Sequence, residues 1–296
     1  MISFALPNFY ENSNIHAFLY DLVKTHPEYF KEPVSFYIST GAFPYSSWNG
    51  GINCNVGRGA FYGDFITTQN FRASAMMPLR LNMANILLES TDYYDHMNAA
   101  ILDIFHDGST VLEVSSIPLM EYIQEKYPDY RFAFSKQADL ITEFTPELLT
   151  SLAESNNFIM IGLPDRLTYD LDFLKTLKKK SCFEITVNPI CPVDCDGCSS
   201  CWIAEHQNQL EYSGQQNILM CNKKNSFLNT KTILSIEEIK KTYVPLGLTH
   251  FTFSTQYVLS PDELVDFYIQ YFIKPEYGAT CFNEWAQFQK QLQGGM

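Results

Sequence analysis

Basic residues are scarce in this chain. Its 296 residues hold 20 Lys and Arg against 33 Asp and Glu, a net charge of −13 at pH 7. A protein that grips nucleic acid by its phosphates needs clustered cations, so nucleic acid is not an expected partner. Long apolar runs are also missing. Polar residues interrupt every hydrophobic stretch well short of the roughly 20 positions that a membrane-spanning helix needs. The N-terminal MISFALPNFYENS lacks a basic segment and reaches Pro7 early, which makes it a poor signal peptide. A cytoplasmic protein without a membrane partner is the expectation. With 18% charged and 46% hydrophobic residues, the chain has too few charges and too much to bury for a disordered protein. Its 14 Gly and 14 Pro follow no period, which excludes collagen-like and low-complexity classes. No G-x-G-x-x-G, Walker loop, serine-nucleophile elbow or H-E-x-x-H helix occurs, so nucleotide binding and those hydrolytic routes have no sequence support.

What is present is an alternation of strand-like and helix-like runs. Strands are expected at Val34–Thr40, Leu79–Ala84, Thr110–Ser116, Tyr130–Lys136, Phe158–Pro164, Cys182–Pro189 and His250–Gln256. Helices are expected at Ser13–Thr25, from Thr91 through Phe105 with Gly108 as a left-handed stop, and at Asp170–Lys180. Further helices should open at Ser116 and Pro118, at Thr145 and Pro146, at Ser235 with Glu238, and at Ser260 with Glu263. The run Lys178, Lys179 and Lys180 reads as cations on a helix C-terminus. Such alternation forces parallel pairing, because each crossover helix returns the chain to the same edge. About seven strands predict an α/β fold, a single TIM-like (β/α) barrel over residues 1–296, complete or one strand short of the eight-stranded norm. A doubly wound open sheet is the alternative.

A long insert, from Ile190 to about Thr232, follows the sixth expected strand and carries five of the eight cysteines. Four fall within eleven residues as Cys191-Pro-Val-Asp-Cys195-Asp-Gly-Cys198-Ser-Ser-Cys201. Cys221 lies twenty residues past Cys201, and His206 five past it. In a reducing compartment, thiols so spaced hold a metal more often than they form disulfides. Thiolates suit zinc or an iron–sulfur cluster, each needing about four ligands. Cys54, Cys182 and Cys281 stand alone and fit ordinary buried cysteines. The insert follows a strand ending in Asn188-Pro189, and in a parallel barrel such ends face the active-site mouth. The thiols are therefore placed either to take part in chemistry or to pin a structural zinc.

Other candidates also cluster after expected strand ends. Trp48 and Asn49, followed by Gly50 and Gly51, could contact substrate or form a turn around a packed Trp. Asn188 could bind substrate or cap the loop. Arg166 could reach substrate at the mouth, and a local salt bridge of Asp165 and Arg166 is the other reading. Glu184, Glu205 and His206 are candidate acid–base groups, Glu184 if it faces the barrel interior and His206 because imidazole titrates near neutrality. A small molecule or peptide is the expected substrate class.

Several segments carry a family resemblance. They are Trp48-Asn-Gly-Gly51, Glu184-Ile-Thr-Val-Asn188-Pro-Ile-Cys191-Pro-Val-Asp-Cys195, Cys221-Asn-Lys-Lys, Pro245-Leu-Gly-Leu-Thr-His-Phe, and Tyr268-Ile-Gln-Tyr-Phe-Ile-Lys-Pro-Glu-Tyr277. Together they resemble a group of largely uncharacterised bacterial and phage barrel proteins, itself distantly similar to the collagenase-like peptidase family. That wider family includes oxygen-independent hydroxylases that hold a 4Fe-4S cluster through four cysteines. The resemblance spans roughly Val34 to Tyr277. It implies an oxidoreductase- or hydroxylase-like iron–sulfur enzyme with Cys191, Cys195 and Cys221 among the ligands. Cys198 or Cys201 would be the fourth, and zinc is the alternative metal. Cys198 and Cys201 are additions relative to the group, and Gln256 stands where relatives carry Arg. Gln256 cannot supply that residue's charge or its bidentate fork. A peptidase-like hydrolase and a radical S-adenosylmethionine enzyme, whose C-x3-C-x2-C pattern Cys191, Cys195 and Cys198 match, are the remaining readings.

Overall fold

The computed structural model describes residues 1–6, 9–42, 79–82, 102–140, 143–189, 233–253 and 260–294. Eight parallel strands close into a barrel in sequence order: β1 (Ile2–Leu6), β2 (Val34–Ala42), β3 (Leu79–Asn82), β4 (Val111–Val114), β5 (Arg131–Phe134), β6 (Phe158–Gly162), β7 (Phe183–Thr186) and β8 (His250–Thr252). The seven expected strands are β2 to β8. The eighth is β1, whose five residues precede any turn signal. It closes the barrel by pairing with both β2 and β8, Phe4 lying level with Phe36 and with Phe251. The cysteine-bearing insert thus follows the seventh strand, not the sixth.

The helices around the barrel are α1 (Phe9–Thr25), α2 (Ile117–Lys126), α3 (Pro146–Glu154), α4 (Leu171–Thr176), α5 (Ile236–Glu238), α6 (Pro261–Phe272) and α7 (Gly278–Gly294). Residues 102–105 are also helical. Their starts follow the caps. Ser116 Oγ accepts from Leu119 N, Thr145 Oγ1 from Leu148 N, Asp170 Oδ1 from Phe173 N and Ser235 Oγ from Glu238 N. Ser260 and Glu263 form a complete capping box. Gly108 takes φ +74°, the left-handed geometry expected of it. The helix expected at Asp170–Lys180 is shorter: Leu177 turns extended and Lys179 is left-handed at φ 48°. One of the lysines serves the end of its own helix as anticipated, and a second serves the end of another helix. Lys179 Nζ donates to Ala153 O of α3, and Lys180 Nζ to Lys175 O of α4. The closing helix α7 was not foreseen. Its glutamine-rich surface masks the apolar side on which Trp285 packs against Phe18, ring centroids 5.3 Å apart.

Successive strand side chains point to opposite faces, and register partners share a face. The outward set is apolar: Phe4, Ile38, Leu81, Leu112, Ile161, Phe183 and Phe251 are fully buried under the helices. Aromatic packing seals the closure at β1. Phe4 meets Phe272 of α6 edge-on at 5.0 Å and lies 5.7 Å from Phe251. Among the described residues, no helix is long and apolar enough to cross a membrane.

Phe4 joins the closing strand to the core. Phe4→Ala should cost about 3–5 kcal/mol, read as a lower urea midpoint at unchanged slope.

Candidate functional site

The inward faces of the strands are mostly polar. Ser3 of β1 is level with Ser35 and with His250, His250 with Glu184, Ser39 with Arg80, and Glu113 with Ala133. Barrels of this kind normally fill the lumen with branched apolar side chains in layers. Here an ionic network occupies it. Arg80 Nη1 donates to Glu184 Oε2 at 2.7 Å, and Arg80 Nε lies 3.1 Å from Glu113 Oε2 as an ion pair. The Tyr37 hydroxyl donates to the other oxygen of Glu184, and the Met160 sulfur lies 3.3 Å from it. Ser135 Oγ donates to Glu113 Oε1 at 2.8 Å. β2 and β3 are not neighbours of β7 in the closed sheet, so Tyr37 and Arg80 reach Glu184 across the lumen.

The electrostatics follow from this enclosure. Burial works against the Arg80 cation, but Glu184 and Glu113 outweigh it and raise its pKa above the ordinary value. Burial first, then the neighbouring Glu184 charge, holds the Tyr37 phenol well above its ordinary range. Burial lowers the pKa of His250 from 6.5, with Glu184 opposing and Arg80 assisting.

Above the network, the C-terminal ends of β5 and β6 are laced by two reciprocal ion pairs. Lys136 Nζ donates to Asp165 Oδ1 at 2.6 Å and to Thr186 Oγ1 at 2.9 Å. Arg166 grips Asp139 through Nε at 3.1 Å and Nη2 at 2.5 Å. Gly162 permits the approach, since a Cβ there would stand 3.0 Å from the Lys136 backbone nitrogen. Both pairs are partly exposed, so each is worth little by itself.

The expected site residues divide between described and undescribed positions. Glu184 faces the barrel interior, as anticipated. Arg166 is at the mouth, engaged by Asp139 in the local salt bridge that was its other reading, with Asp139 rather than Asp165 as partner. Asn188 is buried beyond β7, 2% exposed. Trp48, Asn49, Glu205, His206, Gln256 and the metal candidates Cys191, Cys195, Cys198, Cys201 and Cys221 lie outside the described residues. Of the lone cysteines, Cys281 is buried and Cys182 partly so. Among the described residues, no group of three His, Cys, Asp or Glu side chains could hold a metal ion. The chain enters the cysteine-bearing stretch at the end of β7 and returns there, because Leu234 N donates to Val187 O at 2.8 Å. Sequence reasoning missed Tyr37, Arg80, Glu113, Lys136, Asp139 and His250. The available signal was the polar–apolar alternation of VSFYIS, LRL, VLEV and FEIT, strands that a parallel barrel buries on both faces. Comparison of the chain with family models, with curated proteins and with solved structures finds no match.

Breaking a buried ion pair leaves an uncompensated charge. Arg80→Met should cost about 3–5 kcal/mol, and adding Glu113→Gln and Glu184→Gln should recover much of it in urea denaturation. His250 is lowered below 6.5 in the folded chain, so the unfolded chain binds its proton first. Its stabilising contribution is complete above pH 6.5 and is lost as pH falls through the lowered folded value. His250→Gln should flatten that part of the stability profile relative to the unsubstituted chain.

Proposed function

We propose that this chain is a cytoplasmic barrel enzyme of oxidoreductase type, with a thiolate-held iron–sulfur centre at the C-terminal mouth. The observation that carries the reading is the anchoring of the stretch bearing Cys191, Cys195, Cys198, Cys201 and Cys221, which leaves and rejoins the barrel at the end of β7. The donor chemistry fits the group, because four thiolates from a short run suit such a cluster. When bound, the cluster would supply one-electron transfer. The chain's own residues would do the rest. Lys136 and Arg166 stand at the rim, each paired with a carboxylate, and a substrate with anionic oxygens would have to displace Asp165 or Asp139 to reach them. Glu184, oriented by Tyr37 and Arg80, keeps a carboxylate beneath them. A small polar molecule or a peptide is the substrate class proposed, and in sequence Trp48 and Asn49 follow β2 and Asn188 follows β7. A zinc-pinned binding barrel is the second reading, favoured by the same thiols.

Protein purified without oxygen should be brown and contain iron and acid-labile sulfide, about four of each per chain for a 4Fe-4S centre. Cys195→Ser should lose that iron while circular dichroism still reports the folded barrel. A colourless protein containing zinc and no sulfide would retire the iron–sulfur reading.

A further inference from the structure

We propose that the mouth half of the barrel lumen binds a small organic cation, a molecule presenting one ammonium group, against Glu113 and Ser115. The site rests on the reading of the C-terminal mouth as the substrate end and needs no metal. Charge is out of balance in the lumen. Among the described residues, three charged side chains meet inside the sheet: Arg80, Glu113 and Glu184. One guanidinium faces two carboxylates, which leaves one negative charge over. Its surroundings do not cancel it. Lys136 and Arg166 are each matched by an aspartate. Burial holds His250 below its ordinary 6.5, so the imidazole adds no charge at neutral pH. Arg131, the exposed first residue of β5, donates to Ser109 O at the opposite end of the barrel. An uncompensated charge inside a closed sheet is costly, so a counter-cation is favoured there.

Ser115 marks where that cation would sit. It is 8% exposed, and its Oγ has no hydrogen-bond partner among the described residues. An orphan hydroxyl in such a place is rare and needs an explanation. Ser115 follows Glu113 by two positions, so the alternation of β4 puts both on the inward face, with Ser115 nearer the mouth. On the neighbouring strand, Ser135 N donates to Val114 O and Ser135 Oγ to Glu113 Oε1. Short hydroxyl side chains, Ser115, Ser135 and Thr186, thus stand where such barrels normally carry bulky branched residues. Glu113 also has acceptor capacity left. A carboxylate offers about four acceptor positions, and among the described residues Glu113 is engaged by Ser135 and Arg80. An ammonium brings three N–H donors, which the free positions of Glu113 and the Ser115 oxygen can accept. A metal ion suits the place less, because no group of three His, Cys, Asp or Glu side chains among the described residues could hold one.

The test uses the full chain and methylammonium as the probe. Sodium and potassium chloride at equal ionic strength and methanol, which is neutral, are the controls. Methylammonium should raise the urea midpoint saturably, and saturation-transfer NMR should find its methyl group against the protein. Glu113→Gln removes the surplus charge and should weaken the probe roughly tenfold or more. Ser115→Ala, the second variant, keeps every charge and should weaken it about tenfold. No saturable effect beyond that of sodium chloride would overturn the site, the surplus charge then being held by a proton. An equal saturable effect of sodium or potassium would overturn the ammonium class. Unchanged affinity in folded Ser115→Ala and Glu113→Gln would overturn the assignment to these residues. Iron and sulfide are measured on the same samples. A protein that holds iron but ignores methylammonium sinks the site and leaves the redox reading standing. Methylammonium binding by an iron-free protein supports the site and retires the iron–sulfur reading.

Discussion

Arg80 sits between two carboxylates inside a closed sheet, and the rest of the structure accommodates that fact. A guanidinium removed from water is tolerable only when opposite charge and hydrogen bonds replace its hydration. Glu184 from β7 and Glu113 from β4 provide the charge, and Ser135 and Tyr37 bond the carboxylate oxygens that remain. The participants come from five strands or their ends, so the network is complete only when the barrel is closed. It ties opposite walls together in a space that side-chain volume alone would otherwise have to fill.

One consequence is a division of labour between the two faces of the sheet. Apolar burial is concentrated outside, where Phe4, Phe36, Phe251 and Phe272 pack between strands and helices. The inside is left polar. A lumen of this kind cannot gain much from the hydrophobic effect, and its value lies in holding charges at fixed positions. Preorganised charge in a water-poor enclosure is what acid–base and redox sites require. The mouth continues the theme with the reciprocal pairs Lys136–Asp165 and Arg166–Asp139, which link two adjacent strand ends with balanced charge.

Much of this was legible in the sequence. Helix starts were, because Ser116, Thr145, Asp170, Ser235 and Ser260 act on amides within three residues of themselves. Seven strands were, because their runs are bounded by turns and caps. β1 was not, since five residues at the start of the chain carry no local mark of the partners that receive them. The extent of α4 was overestimated because the leucine spacing continues past the point where Leu177 turns extended. Lys179 illustrates a pattern that was readable in kind but not in address: a cation near a helix end was expected, yet the carbonyl it serves belongs to α3.

The amino-acid sequence by itself determined where most elements begin, which residues of each strand share a face, and that a parallel α/β sheet would result, with a barrel preferred over an open sheet. These are local consequences of periodicity and capping. Which face of each strand would enclose charge was decided by closure alone. Tyr37 and Glu184 are separated by 147 positions, and Arg80 and Glu184 by 104. Alternation with a period of two places each of them on one side of its own strand but does not say what stands opposite. That depends on strand order and register around the whole ring, which no local pattern contains.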